Sequence, residues 1–157
     1  DNSADTRLNL GSGGGSALGT GSFSATDGVT IEAFTVPHGD IRPAFGYKVT
    51  TPDKVVVISG DTAYSDKMIE IAKGADVLVH EVISEQGLSK LSEFWQKYHS
   101  TSHTRTSELA KIASEAKPKL LVLSHILHYS APIESVVEEI QASYDGEVVL
   151  GNDLDVF

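Results

Sequence analysis

Three short apolar runs, Val55-Val56-Val57-Ile58, Val77-Leu78-Val79 and Leu120-Leu121-Val122-Leu123, are separated by segments of helical periodicity. This succession constrains the fold more than any other feature of the chain. Continuous apolar runs of this length suit buried strands, and parallel strands need long crossovers, usually helices. After the first run, Ser65 or Asp66 is placed to cap a helix reaching about Lys73. Met68, Ile69 and Ala72 share its inner face, and Gly74 ends it. Residues 104–116 predict another helix, with Leu109, Ile112 and Ala113 inward. Residues 133–144 predict a third, behind Pro132, leading into a short strand over 147–150. Upstream, residues 29–36 alternate apolar and polar side chains, and residues 46–50 supply an antiparallel partner. The fold class is therefore α/β, a mixed sheet with flanking helices.

Residues 1–28 stand apart. Gly11-Ser12-Gly13-Gly14-Gly15-Ser16 continues through Gly19, Gly21 and Ser22, which is the composition of flexible coil. It reads as a linker or as a loop joining two halves of a fold. No Lys-Ser/Thr pair follows the glycines, so it is not a P-loop. The ordered domain is expected over 29–157. The chain opens on Asp1 rather than Met and shows no secretory signal, so a processed chain, a trimmed chain or an internal fragment is expected.

The chain has 22 acidic residues against 12 basic ones, for a net charge of −10. Gripping phosphate requires Lys and Arg, so nucleic acid and anionic membranes are disfavoured partners. There is no cysteine, which confines any metal ligands to His, Asp and Glu. No apolar run nears the ~18 residues of a membrane span. A soluble protein is expected, with the compartment open between cytoplasm and periplasm.

In α/β sheets ligands bind beyond the carboxyl ends of strands. Four strands here run into polar residues: 29–36 into Pro37-His38, 55–59 into Gly60-Asp61-Thr62, 77–79 into His80-Glu81, and 120–124 into His125. Imidazoles and carboxylates at one sheet end form an N/O donor set that suits zinc, manganese or iron. Each residue also has a plainer reading. Asp61 can be a turn former, His80 and Glu81 a satisfied rim pair, and His103 a residue beside a helix cap. His99 and His128 have no strand-end position, and no ligand role is expected for them. The aromatic stretch within 87–98 reads as a helix or lid, either lining a pocket or packed on the core.

The runs VPHGDIRPAFGYKV, VVVISGDTAYSDKMIEIAKGADVLVHEV and HTRTSELAKIASEAKPKLLVLSHI together resemble the C-terminal half of metallo-β-lactamase-superfamily hydrolases, in the branch shared by RNase Z-like and arylsulfatase-like enzymes. The resemblance covers residues 29 to about 128. It implies half of an αββα sandwich. It implies His38 as a ligand of one metal, His125 as a ligand of a second, and Asp61 as the carboxylate shared by both and so part of the catalytic set. His103, 22 residues before His125, is implied as the catalytic histidine that meets a developing anion or protonates a leaving group. His80 and Glu81 are implied to orient these residues. The implied cofactors are two divalent ions, zinc foremost, with manganese or iron compatible.

The family's His-x-His-x-Asp-His signature is absent from this chain. The resemblance therefore implies that an N-terminal half, on a separate chain or a missing segment, supplies further ligands and covers the exposed sheet face. A homo-oligomer is also compatible. The implied activity is hydrolysis of an ester-type bond in a small molecule, whether phosphodiester, sulfate ester or lactone, by a metal-activated hydroxide. The short connection from Tyr47 to Asp61 leaves no room for a long tRNA-gripping insertion. The alternative is a catalytically silent half-domain acting as a binding or structural module.

Overall fold

The structure, a computed structural model, describes the backbone of residues 21–24 and all of residues 28–157. Seven strands form one sheet in chain order: β1 (Gly21–Ser24), β2 (Thr30–Val36), β3 (Ala44–Thr50), β4 (Val55–Ile58), β5 (Val77–Ile83), β6 (Leu120–Leu127) and β7 (Val148–Leu150). The first four pair antiparallel and the last four parallel, so the sheet is mixed as expected. The parallel steps cross over through α1 (Asp66–Ile71), then α2 (Glu85–Leu88), α3 (Glu93–Ser100) and α4 (Thr106–Ala116), then α5 (Ile133–Gln141).

The core lies between one sheet face and α1, α4 and α5. Val57, Leu78, Leu121 and Leu123 alternate onto that face. They are buried with Met68 and Ala72 of the α1 region, Leu109, Ile112 and Ala113 of α4, and Val136 and Ile140 of α5. Fully burying an aliphatic side chain stabilises by about 1.5–3 kcal/mol, which is why helices with one apolar stripe settle here. On the opposite face the cross-strand partners Tyr47 and Ile58 stay 42% and 39% exposed. Val56 and Val79 beside them are only half buried.

Two glycines hold the sheet together. Gly46 faces Phe34 across the β2–β3 pair, and a Cβ there would lie 2.5 Å from the Phe34 ring. Gly60, just after β4, has φ 62°, and its Cβ would stand 2.3 Å from the Phe45 carbonyl oxygen. Glycine alone gives both the left-handed turn and this approach.

Several expectations change. The expected coil over 1–28 falls largely outside the described residues, but Gly21–Ser24 is a strand paired with β2, so coil does not run through to 28. The strand expected at 46 begins at Ala44. β5 and β6 run on to Ile83 and Leu127, so His80, Glu81 and His125 lie inside strands rather than at their ends. The aromatic segment breaks at Ser89–Ser92 into α2 and α3, and no residue of α3 is buried. That removes the reading of this helix as packed on the core. No helix among the described residues is long and apolar enough to cross a membrane.

Candidate functional site

The loops after β2 and β4 are tied together, because the Ala63 N–H donates to the Pro37 carbonyl at 2.7 Å. This brings His38 toward Asp61. His38 Nδ1 lies 2.8 Å from the Ser102 carbonyl oxygen. A carbonyl only accepts, so Nδ1 carries a proton, and in the neutral ring Nε2 holds the lone pair. That nitrogen faces Asp61 Oδ2 at 4.0 Å.

His125 arrives from β6, which β5 separates from β4. Glu81 pairs with Ser124 and Val82 with Ile126, so His125 is skipped in the β5–β6 ladder. Its φ is 42°, in the left-handed region that an L-residue seldom adopts. The bulge turns the side chain out of the sheet, and Nε2 stands 3.6 Å from the same Asp61 Oδ2. Asp61 and His125 are 44% and 52% exposed. Two imidazole nitrogens therefore flank one carboxylate oxygen.

His103 lies in the turn before α4, beside both other histidines. Its ring centroid is 5.4 Å from that of His38 and 5.7 Å from that of His125. Its Nδ1 is 3.3 Å from Glu81 Oε2, an ion-pair distance without hydrogen-bond alignment. Glu81 is buried and fixed through its other oxygen. Oε1 accepts from the backbone N–H of Thr62 at 3.2 Å and of Thr104 at 2.9 Å. The Thr104 hydroxyl closes the arrangement by donating to the Thr62 carbonyl at 2.7 Å. A carboxylate so held leaves one oxygen for the imidazole.

His80 stands apart from this group. It is fully buried and projects with Leu78 and Val82 toward the helices. Its Nδ1 donates to the Glu81 carbonyl at 2.6 Å, so among the described residues its hydrogen bond reaches no candidate ligand. Burial pushes its pKa down and keeps it neutral. His99, expected to have no ligand role, is nonetheless part of the site's wall. It stacks on Trp95, its Nε2 is 2.7 Å from the Tyr129 hydroxyl, and its centroid is 5.7 Å from that of His103. Burial, then the neighbouring His103, lowers its pKa. Reasoning from sequence missed the Ser102 carbonyl and the Thr62 and Thr104 amides, since backbone groups leave no residue-type signal.

The donor set of two imidazole nitrogens and a carboxylate suits a divalent ion such as zinc. Among the described residues, however, no three His, Asp or Glu side chains make a ready cage. His38, Asp61 and His125 thus fit as part of a metal centre and fall short of a full one. A cavity of about 710 Å³ opens beside His38.

A family model described as the beta-lactamase superfamily domain matches residues 18–126. Ribonuclease Z of Mycobacterium tuberculosis (strain H37Rv) is 30% identical over 130 residues, which is 82% of this chain and 48% of that protein. Among solved structures, the metallo-beta-lactamase fold protein YhfI from Bacillus subtilis superimposes with TM-score 0.69 at 22% identity, over 84% of this chain and 50% of that one. Human tRNase Z, short form, superimposes with TM-score 0.58 at 23% identity, over 87% of this chain and 45% of that one. The chain spans about half the length of the curated relatives it matches.

Proposed function

The chain belongs to the beta-lactamase superfamily and has the metallo-β-lactamase fold, and from that premise we propose that it forms one wall of the active centre of a phosphodiester hydrolase. The observation that carries the reading is the convergence of His38 Nε2 and His125 Nε2, from elements on either side of β4 in the strand order, on Asp61 Oδ2. His125 adopts a left-handed backbone to get there, and such strain concentrates at functional sites.

His38, Asp61 and His125 would hold divalent metal, with Asp61 shared between two ions, zinc foremost and manganese or iron compatible. Bound metal would supply a hydroxide from water near neutral pH and polarise the ester. The chain's own residues do the rest. The Ser102 carbonyl fixes the His38 tautomer, so that Nε2 is the ligating atom. His103 delivers a proton to the departing oxygen. The Glu81 carboxylate, anchored by two backbone amides, stabilises the imidazolium before transfer.

The matched relatives are named ribonuclease Z, and that weighs against the expectation that disfavours nucleic acid. Net charge averages over the whole surface, whereas binding responds to the local field of metal and guanidinium groups. Phosphodiester is therefore preferred to sulfate ester or lactone.

The remaining ligands come from an N-terminal half, a separate chain or a further segment. The half-covered face bearing Tyr47 and Ile58 supports such a partner, because solvent-exposed apolar sheet faces mark interaction surfaces. The lack of a ready cage among the described residues favours a second reading, in which the chain alone is a catalytically silent module.

Metal content and turnover, measured on the protein assembled with its other half, separate the two. The first reading expects about two divalent ions per site. It also expects bis(p-nitrophenyl) phosphate to be hydrolysed faster than p-nitrophenyl sulfate or a lactone, with both metal and activity lost in Asp61→Ala. Retained metal in that variant, or an assembled protein without metal, refutes it.

A further inference from the structure

The cavity beside His38 is walled by residues 35–44 with Tyr98, Thr101 and Ser102. At about 710 Å³ it is in the range of small-ligand sites. Its wall is fixed in advance. The Gly39 N–H donates to the Thr101 carbonyl at 2.9 Å, and the Ile41 N–H to the His38 carbonyl at 3.0 Å. Gly39 has φ 56°, and a Cβ there would stand 2.7 Å from Ser102 Oγ, so the loop lies as close to this turn as glycine permits.

Three side chains on that wall are exposed. Tyr98 is 48% exposed and belongs to an edge-to-face ladder that runs from Phe94 through Trp95 and Tyr98 to His99 along α3. Ile41 is 58% exposed on the facing loop. Arg42 follows it, exposed and in no salt bridge with a described residue. The cavity is thus lined by an aromatic ring, an apolar flank, a guanidinium group and the Asp40 carboxylate. A bare phosphate has no use for Tyr98, and an apolar lactone has none for Arg42. A nucleotide uses both, because its base stacks on an aromatic face and its phosphate matches the guanidinium fork.

We propose that this cavity is the subsite for the nucleotide flanking the scissile bond, with Tyr98 stacking the base, Arg42 pairing with that nucleotide's own phosphate and Asp40 accepting from ribose hydroxyls. The inference rests on the phosphodiester reading above and names the part of the substrate that is not cut.

The test is equilibrium binding of adenosine 5′-monophosphate, adenosine and inorganic phosphate to the assembled protein, by calorimetry and by fluorescence. Trp95, the chain's single tryptophan, lies 5.6 Å from Tyr98 and reports occupancy. The nucleotide binds at least about tenfold tighter than either fragment, the size of one stack or one charged contact. Arg42→Ala lowers it to the level of adenosine. Tyr98→Ala weakens nucleotide and nucleoside about tenfold and leaves phosphate unchanged, while Tyr98→Phe keeps the ring and the binding. Tyr98 sits on an exposed helix face, so the substitutions leave the fold intact, which circular dichroism checks. A nucleotide that binds no tighter than phosphate, or binds regardless of Arg42→Ala and Tyr98→Ala, overturns the subsite. The measurement needs no turnover. Hydrolysis of bis(p-nitrophenyl) phosphate without nucleotide binding therefore sinks the subsite alone, and nucleotide binding without any hydrolysis sinks only the catalytic reading.

Discussion

His125 combines a left-handed backbone with a proposed ligand role, and a pair of substitutions separates the two. Its φ of 42° places an L-residue in the left-handed region, inside a strand, at the one position the β5–β6 ladder skips. Left-handed backbone puts a Cβ near the following carbonyl and disfavours non-glycine residues by about 1–2 kcal/mol. His125→Ala and His125→Gly remove the same imidazole, which is half exposed, so the lost packing is small and common to both. They differ in whether a Cβ remains. Glycine gives back about 0.5–1 kcal/mol through the greater freedom of its unfolded chain. The glycine variant should therefore exceed the alanine variant by about 0.5–1 kcal/mol, or about 2 °C in midpoint for a domain of this size. Urea and thermal unfolding of the two variants, side by side, measure the difference. Both lose metal and turnover equally if His125 is a ligand. An alanine variant as stable as the glycine one refutes the strained backbone. A variant that keeps its metal refutes the reason for it.

Gly60→Ala places a Cβ 2.3 Å from the Phe45 carbonyl at φ 62°, so it should destabilise by about 2–4 kcal/mol from left-handed strain plus overpacking, read as a lower urea midpoint. Glu81→Gln keeps an oxygen for the Thr62 and Thr104 amides but loses the charge beside His103, so turnover falls while folding holds; Glu81→Ala strands both amides and destabilises by about 2 kcal/mol or more. Loss of turnover in neither variant counts against the Glu81–His103 pair. His80 has a folded pKa depressed by burial below its ordinary value of 6.5. The unfolded chain therefore binds the extra proton first, and the stability this group contributes is complete above about pH 6.5 and lost as pH falls below it. The urea midpoint should decline below that pH in the natural protein, and less so in His80→Asn; identical profiles exclude His80 as the source.

The fold was legible because its core strands carry their own signal. Val55–Ile58, Val77–Val79 and Leu120–Leu123 are apolar without interruption, and the helices between them show one inward stripe each, Leu109, Ile112 and Ala113 being fully buried as their spacing requires. Strand ends were less legible. His80, Glu81 and His125 read as terminators because they are polar, yet β5 and β6 run past them. Burial on one side and a buried carboxylate network on the other supply what the side chains lack in propensity. β1 was hidden inside a Gly/Ser-rich stretch whose composition favours coil, and its pairing with β2 is a tertiary effect that no local pattern announces.

The site divides along the same line. Residue types at strand ends pointed to His38, Asp61 and His125, the family resemblance pointed to His103, and the structure gathers these four within one group. What holds them in place is backbone. The Ser102 carbonyl orients His38, the Thr62 and Thr104 amides anchor Glu81, and a skipped ladder position aims His125. Every residue type carries the same carbonyl, and every one but proline the same amide, so such contacts leave almost no trace in composition or spacing. It follows that substitutions at Ser102 or Thr62 should be tolerated when they leave the local backbone unmoved, whereas a substitution at Thr104 also removes the hydroxyl that donates to the Thr62 carbonyl. Substitutions at Gly39 and Gly60, which set the course of that backbone, should not be tolerated. A site built this way is conspicuous in its side chains and silent in its supports.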